Sequence, residues 1–257
     1  MKNKDIEKLE NKYLKKFYHF LSFAKDEMLE GFRTKEKIKS DWLGLYKTGI
    51  SDFSTGAERI VYALFNGKGF GQPNSSPVGS DLFFEVSDAF IHIDLKTVGA
   101  SLSGKNNIGD YSKNIFVGTN QNSYKGEILL KSKNSIIKKR DYIPSLPTFY
   151  NKGTEHEKIC LSYFVTILYD KDTLDILVIS IMCMPNGELE SHYKTRVLKA
   201  GKNDDKARFG FSDVPNFELI DSTPKRIKVI FFDTNMDEKY LKKLNFYEDI
   251  YNKQEIN

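Results

Sequence analysis

Residues 81–98 read DLFFEVSDAFIHIDLKTV, and this stretch gives the strongest indication of the fold class. Its first part, residues 82–86, is a short apolar run that ends at a tight turn of Ser87 and Asp88. From residue 89 to residue 98 apolar and polar side chains alternate, so one face of the strand carries Ile91, Ile93 and Leu95. The opposite face carries His92, Asp94 and Lys96. Alternation after a tight turn predicts a β-hairpin with a polar row on one face.

Further strands are expected downstream of the hairpin. Residues 160–169 and 174–184 are rich in β-branched side chains and are separated by a short polar turn, which predicts two buried antiparallel strands. Residues 225–232 predict a last strand. Residues 67–80 and 101–126 are predicted loops, because Gly, Ser, Asn and Lys dominate them.

Helices are expected at both ends of the chain and before the hairpin. Apolar residues at helical spacing predict helices over residues 4–31, 54–66 and 236–251, with Gly31 as the stop of the first. Residues 128–143 are also predicted as a helix, with its Lys and Arg side chains outward. The expected fold class is α/β, with a central mixed sheet of about five strands flanked by helices and an N-terminal helical segment.

Composition favours one globular unit. The chain has 257 residues, 40% of them hydrophobic, and a net charge of +4. One sizeable core fits this length, so we expect a single domain over residues 1–257, helical over 1–50 and with its core over 51–257. The small net charge excludes a polybasic protein that coats nucleic acid, and two cysteines exclude a disulfide framework. The sequence has neither a membrane-length apolar run nor a secretion signal, so a soluble cytoplasmic protein is expected.

Two carboxylates and a lysine stand together in the hairpin. Asp94 and Lys96 lie two residues apart on a strand and therefore project from one face, and Asp81 begins the neighbouring strand. Two carboxylates held together repel each other, and a hard divalent cation such as Mg²⁺ relieves that repulsion. Such a cation can lower the pKa of a bound water and neutralise a phosphoryl group, while Lys96 stabilises developing negative charge. Glu58, on the helix before the hairpin, is a fourth candidate.

The competing interpretation is an ordinary ion pair on a solvated strand. Two observations argue against it. Placing a charged pair in a strongly apolar strand costs free energy, so such a pair is expected to have a functional role. A further carboxylate, Glu58, also lies nearby in the sequence. His92 shares the face of Asp94 and is interpreted as a neighbour rather than a ligand.

Asp81, followed by Asp94-Leu95-Lys96 and preceded by Glu58 on a helix, resembles the signature of the PD-(D/E)XK nuclease superfamily. The likeness covers residues 54–98, and Ser80 stands where many members have proline. It implies a restriction-endonuclease-like core, Mg²⁺ as cofactor, and catalytic roles for Asp81, Asp94, Lys96 and Glu58. It also implies metal ligation by Asp81, Asp94 and the main-chain carbonyl of Leu95. The usual length and the lack of helicase, methyltransferase or nucleotide-binding motifs favour a type II restriction endonuclease.

Double-stranded DNA is the substrate that this resemblance implies. Amide side chains can bind adenine bidentately, and the candidates for base reading are Asn106, Asn107, Asn120, Gln121 and Asn122. Long cations suit phosphates, and the candidates there are Arg196, Lys199, Lys202 and Arg208. A disordered surface loop and a plain solvated basic segment are the competing interpretations of these two regions.

Partners follow from the same chemistry. Duplex cleavage needs two strand breaks and one chain holds one catalytic constellation, so we expect a homodimer. A separate methyltransferase acting on the same site, in a bacterial or archaeal cell, is also implied. Two alternatives stay open: a repair or resolvase-type nuclease of the same superfamily, and a non-catalytic DNA-binding module with a nuclease-like core.

Overall fold

A computed structural model describes most of the chain. The described residues are 1–37, 53–66, 72–73, 79–102, 114–132, 135–194, 198–201, 203–210, 218–219 and 222–254. Their helices are α1 (Asn3–Phe23), α2 (Lys25–Lys37), α3 (Phe53–Asn66), α4 (Glu190–Tyr193) and α5 (Glu238–Gln254). Short 3₁₀ turns cover Thr119–Gln121 and Gly187–Leu189.

The strands are numbered in chain order. They are β1 (Gln72–Pro73), β2 (Leu82–Glu85), β3 (Ala89–Ala100), β4 (Asn114–Gly118), β5 (Gly126–Ser132), β6 (Ser135–Tyr142), β7 (Phe149–Tyr150), β8 (Lys158–Asp170), β9 (Ile176–Met184), β10 (Leu198–Lys199), β11 (Lys206–Gly210), β12 (Glu218–Leu219), β13 (Ser222–Lys225) and β14 (Ile227–Phe232). Within the described residues, the main sheet has the order β1-β2-β3-β8-β9-β14, and β7 pairs with β8.

The main sheet is mixed, as predicted, because its central strands run both ways. The predicted hairpin is present: β2 and β3 pair antiparallel, with Leu82 opposite Ile93. β3 then pairs in parallel with β8, and β8 pairs antiparallel with β9. The strands β8, β9 and β14 and the helices α3 and α5 lie close to their predicted bounds. The sheet has seven described strands instead of about five, because β1 adds beyond β2 and the short β7 pairs with the first residues of β8.

Helices cover both faces of this sheet. On the face of Ile93, α1 packs through Phe17, whose ring lies 5.2 Å from that of Tyr163 and 5.7 Å from that of Phe65 on α3. On the opposite face, α5 contributes the buried Tyr247. Asp94 and Lys96 therefore project from the face that α5 partly covers, away from α1.

The first predicted helix is two helices in the structure. α1 ends at Phe23, and α2 continues past Gly31 to Lys37, so Gly31 is not a stop. The reason is packing: a Cβ on Gly31 would lie 3.2 Å from Ile60 Cδ1 on α3. The glycine thus lets α2 and α3 approach closely.

The predicted helix over 128–143 is wrong, because this region is the antiparallel hairpin of β5 and β6. Ile128 and Leu130 are buried at alternate positions, which is the strand period. The predicted loop over 101–126 contains β4, which buries Ile115 and Val117. β4 joins β11 and β10 in a small sheet of order β10-β11-β4. The predicted loop over 67–80 contains β1, which pairs with β2.

A buried ionic network joins the two ends of the chain. Arg226, 1% exposed, binds Glu7 at 2.9 Å and Glu10 at 2.7 Å, both on α1. Tyr193 on α4 donates to Glu7 Oε1 at 2.8 Å and accepts from Arg226 Nε at 3.0 Å. Glu10 Oε1 also accepts a hydrogen bond from the main-chain N–H of Asn186 at 2.7 Å. The network fixes α1 against the strand that begins just after Arg226.

The side chain of Gln254, the last residue of α5, binds the main chain of β14. Gln254 Nε2 donates to Val229 O at 3.0 Å, and Gln254 Oε1 accepts from Val229 N at 3.2 Å. β14 is the outer strand on this side of the main sheet, as far as the structure describes it.

Membrane insertion through a helix finds no support in the fold. Over the part of the chain that the structure describes, no helix combines the length and the apolar character needed to cross a bilayer.

Candidate active site

The hairpin places Asp81 opposite Asp94. The register that pairs Leu82 with Ile93 sets the preceding Asp81 beside Asp94 across the two strands. The contact is fixed by a hydrogen bond, because Leu95 N donates to Asp81 Oδ2 at 2.6 Å. Asp81 is exposed, whereas Asp94 is buried. One carboxylate thus faces solvent and the other lies beneath it.

Burial changes the acidity of Asp94. The pKa of Asp94 is raised to about 7, chiefly by desolvation and in addition by the nearby charges of Asp81 and Glu58. Lys96 opposes the rise through its charge and a hydrogen bond. Two further carboxylates therefore act on Asp94, one from α3 and one from the hairpin. The repulsion expected from the sequence is present at Asp94.

Lys96 and Gln121 hold the two oxygens of Asp94. The Lys96 ammonium forms an ion pair with Asp94 Oδ2, and Gln121 Nε2 donates to Asp94 Oδ1 at 2.6 Å. Lys96 Nζ also donates to Gln121 Oε1 at 3.3 Å and lies 5.9 Å from the centre of the Phe164 ring. Gln121 thus joins the cluster from outside the hairpin, as Glu58 does.

His92 lies next to the site and forms hydrogen bonds with Ser80 and Tyr150. One ring nitrogen contacts Ser80 Oγ at 2.9 Å and the other contacts the Tyr150 hydroxyl at 2.9 Å. Burial lowers the pKa of His92 to about 4, so the ring is neutral at physiological pH. Both nitrogens are occupied, which agrees with the interpretation of His92 as a neighbour rather than a ligand. Ser80, which it binds, directly precedes Asp81.

A cleft of about 370 Å³ opens beside Lys96. Its walls come from β3, from β4 and the turn after it, and from the start of β11: Lys96, Phe116, Val117, Gly118, Asn120, Gln121, Asp205 and Lys206. The small sheet therefore borders the cluster of Asp94, Lys96 and Gln121 directly. On that sheet Arg208 pairs with Phe116 on one side and with Lys199 on the other, and its guanidinium lies 5.1 Å from the Phe116 ring centre.

The candidate DNA contacts fall into three groups. Asn120 is exposed at the cleft, and Lys199 and Arg208 lie on the small sheet. Gln121 binds Asp94, and Asn122 is fully buried, donating to Tyr142 OH and Gly118 O. Gln121 and Asn122 therefore do not suit base contacts, because their side-chain amides form hydrogen bonds inside the protein. The remaining candidates, Asn106, Asn107, Arg196 and Lys202, lie outside the described residues.

The donor set fits a divalent cation. In the described part of the chain, no cluster of three or more His, Cys, Asp or Glu side chains is arranged to hold a metal. Mg²⁺ does not need one, since it binds through one or two carboxylates and keeps waters. Asp94 Oδ2 is buried against the Lys96 ammonium, and the carboxylate of Asp81 lies across from Asp94. A cation between the two carboxylates would offset their repulsion.

Solved structures share this fold. The restriction endonuclease BglI, bound to its DNA recognition sequence, is similar with a TM-score of 0.64 and 14% identity over 90% of this chain and 91% of that chain. Tetrameric SfiI restriction endonuclease, bound to cognate DNA, is similar with a TM-score of 0.62 and 12% identity over 92% and 88%. Among curated protein sequences, none matches the chain.

Family models match most of the sequence. Residues 2–173 match the type II restriction enzyme MwoI, N-terminal domain, and residues 176–232 match its central domain. The chain is a type II restriction endonuclease of the PD-(D/E)XK kind, a sequence-specific deoxyribonuclease. Within that class it belongs to the MwoI family. The class, the fold and the activity predicted from the hairpin are confirmed, and membership suggests a divalent metal cofactor.

The boundary between the two matched regions falls in the turn between β8 and β9. These strands pair along most of their length in one sheet. The single-domain organisation over residues 1–257 stays a prediction.

Proposed function

We propose that the chain cleaves both strands of DNA with Mg²⁺ held by Asp81 and Asp94, and that Lys96 and Glu58 assist. One observation carries this proposal: Asp81 is fixed opposite Asp94 by its bond to Leu95 N, and Lys96 lies against Asp94 from the same face. The exposed carboxylate is accessible to DNA, and the buried one is restrained by hydrogen bonds. The main-chain carbonyl of Leu95 is the third proposed ligand.

Each side chain has a distinct task in this scheme. Asp81 and Asp94 bind the cation, which when bound supplies Lewis-acid stabilisation of the phosphoryl charge. Lys96 presents its ammonium at the cleft and stabilises the negative charge that develops on the scissile phosphate. Glu58 adds negative charge near Asp94 and strengthens the local attraction for a cation. The buried, neutral His92 holds Ser80 and so steadies the chain next to Asp81.

Metal removal tests this scheme directly. We expect unmethylated phage DNA to give discrete bands with Mg²⁺, no cleavage with EDTA, and recovered bands when Mg²⁺ is added in excess of EDTA. The measurement is gel electrophoresis of the digest. Cleavage that persists in EDTA after the protein has been dialysed against the chelator would contradict the metal proposal, and a smear would contradict sequence specificity.

The small sheet is the proposed DNA-facing surface. Lys199 and Arg208 are paired neighbours on it, and the cleft beside it opens onto Lys96. Long cations suit phosphate contacts, and the exposed amide of Asn120 suits a base edge. Asn106 and Asn107 stay proposed for base reading, and Arg196 and Lys202 for phosphates, from the sequence alone.

The phosphate assignment predicts a salt effect. Arg208→Ala should weaken binding to specific and scrambled duplexes alike and reduce the salt slope by about one unit, because one phosphate contact is lost. Fluorescence anisotropy across a salt series measures it. Lys242→Ala, on the exposed side of α5, is the matched control and should leave the slope unchanged. A change confined to the specific duplex would instead assign Arg208 to base reading.

Two copies of the chain are proposed to act together. Duplex cleavage needs two strand breaks, and the described residues contain one catalytic constellation, so a twofold dimer on a palindromic site is the expected assembly. Sedimentation of the DNA complex should give two protein copies per duplex. A complex with one copy that still breaks both strands would contradict this.

A methyltransferase acting on the same DNA site is proposed as a separate partner that protects the host. The cytoplasm of a bacterial or archaeal cell is the proposed location. Both proposals rest on the restriction activity.

A further inference from the structure

The amide of Gln121 is bound at both ends inside the catalytic cluster. Its Nε2 donates to Asp94 Oδ1 at 2.6 Å. Its Oε1 accepts from Gly118 N at 2.7 Å and from Lys96 Nζ at 3.3 Å. The orientation of the amide is determined by its partners, since the flipped form would turn an NH₂ group toward two donors. Gln121 thus touches both functional residues of the Asp94-Leu95-Lys96 motif.

This arrangement distinguishes the two oxygens of Asp94. Oδ1 receives the Gln121 hydrogen bond, whereas Oδ2 is buried against the Lys96 ammonium. The carboxylate cannot rotate without breaking the Gln121 bond. The same glutamine therefore holds both Asp94 and the lysine that faces its second oxygen.

Main-chain hydrogen bonds hold the turn that carries Gln121. Gln121 closes the 3₁₀ turn Thr119–Gln121 that directly follows β4. Thr119 N donates to Asp205 O at 3.0 Å, and Thr119 O accepts from Ser145 N at 2.7 Å. The turn connects the small sheet to the catalytic strand.

We infer that Gln121 is a positioning residue, which orients Asp94 and Lys96 for cleavage and does not read a base. The inference rests on the proposed function of Asp94 and Lys96. It replaces the sequence-based assignment of Gln121 to base recognition, because its hydrogen-bonding groups already bind Asp94, Lys96 and Gly118.

Two substitutions test the inference. Gln121→Met keeps the length of the side chain but removes its hydrogen bonds. Gln121→Glu keeps an acceptor for Gly118 and Lys96 but removes the donor to Asp94, and it carries the test if the methionine variant does not fold. We expect the single-turnover cleavage rate to fall about 10- to 100-fold, as for other groups that orient metal ligands. Asn252→Ala, an exposed amide on α5, is the control and should cleave like the unmodified chain.

Three further readouts separate positioning from other roles. The Mg²⁺ concentration for half-maximal rate should rise, while DNA affinity and the band pattern on phage DNA stay unchanged. A relaxed band pattern, a rate within threefold of the unmodified chain, or a loss of DNA affinity equal to the loss of rate would each overturn the inference. An unmodified chain inactive in Mg²⁺ would overturn the proposed metal chemistry first, and the inference with it.

Discussion

Asp94→Asn is expected to abolish DNA cleavage and to leave DNA binding intact. The asparagine oxygen can still accept the Gln121 hydrogen bond, so the local structure is kept. The charge that attracts the cation and pairs with Lys96 is lost. Several kcal/mol of charge stabilisation depend on the bound cation, and each ~1.4 kcal/mol is tenfold in rate, so we expect a loss of about 1000-fold or more. Single-turnover digestion of unmethylated phage DNA, beside filter binding of the same DNA, measures both quantities.

The control for this variant is a carboxylate elsewhere on the surface. The side chain of Glu155 is 85% exposed, so Glu155→Gln removes one negative charge without touching the cleft. It should cut at the rate of the unmodified chain. An Asp94→Asn rate within tenfold of that value would remove Asp94 from the proposed metal site.

Arg226→Met is expected to have the largest effect on stability. The substitution leaves Glu7 and Glu10 buried without their cation, and breaking a buried ion pair by removing one partner costs about 3–5 kcal/mol. Burial already raises the pKa of Glu10, and Arg226 opposes that rise. Urea unfolding followed by circular dichroism measures the change in the free energy of unfolding.

A surface arginine provides the comparison. Arg140 binds Asp204 at 2.6 Å, but its side chain is 40% exposed, so Arg140→Met should cost no more than about 1 kcal/mol. If Arg226→Met were as mild as Arg140→Met, the network would not stabilise the position of α1. Adding Glu7→Gln and Glu10→Gln to Arg226→Met should recover part of the loss, because no uncompensated charge then remains buried.

The geometry of a single hairpin was enough to predict that Asp81, Asp94 and Lys96 lie together. The strand period of two places Asp94 and Lys96 on one face, and a short hairpin turn brings Asp81 opposite Asp94. Both relations involve few residues and depend on backbone geometry alone. The alternation in 89–98 is also unambiguous, so the mixed sheet around it followed from the sequence.

Contacts between distant segments were not predictable in the same way. Gln121 reaches Asp94 only because β4 pairs with β11, some ninety residues further along the chain, and no local pattern encodes that pairing. Arg226 and Glu7 are separated by 219 positions, and nothing near either residue indicates the other. Residues 128–143 were misassigned because a short apolar run with flanking lysines fits both a helix and a strand.

The side-chain amide of Gln254 has a consequence for how the folded chain behaves in a crowded solution. An outer strand with vacant peptide groups is a template onto which another polypeptide can add, and this is a route to aggregation. Here an amide that imitates a peptide unit takes both main-chain groups of Val229. The adjacent ladder between β14 and β9 also carries an irregularity after Val229, which interrupts its regular spacing. In the part of the chain that the structure describes, the main-chain groups of Val229 are therefore already bonded, and this disfavours the addition of another strand at this point of β14.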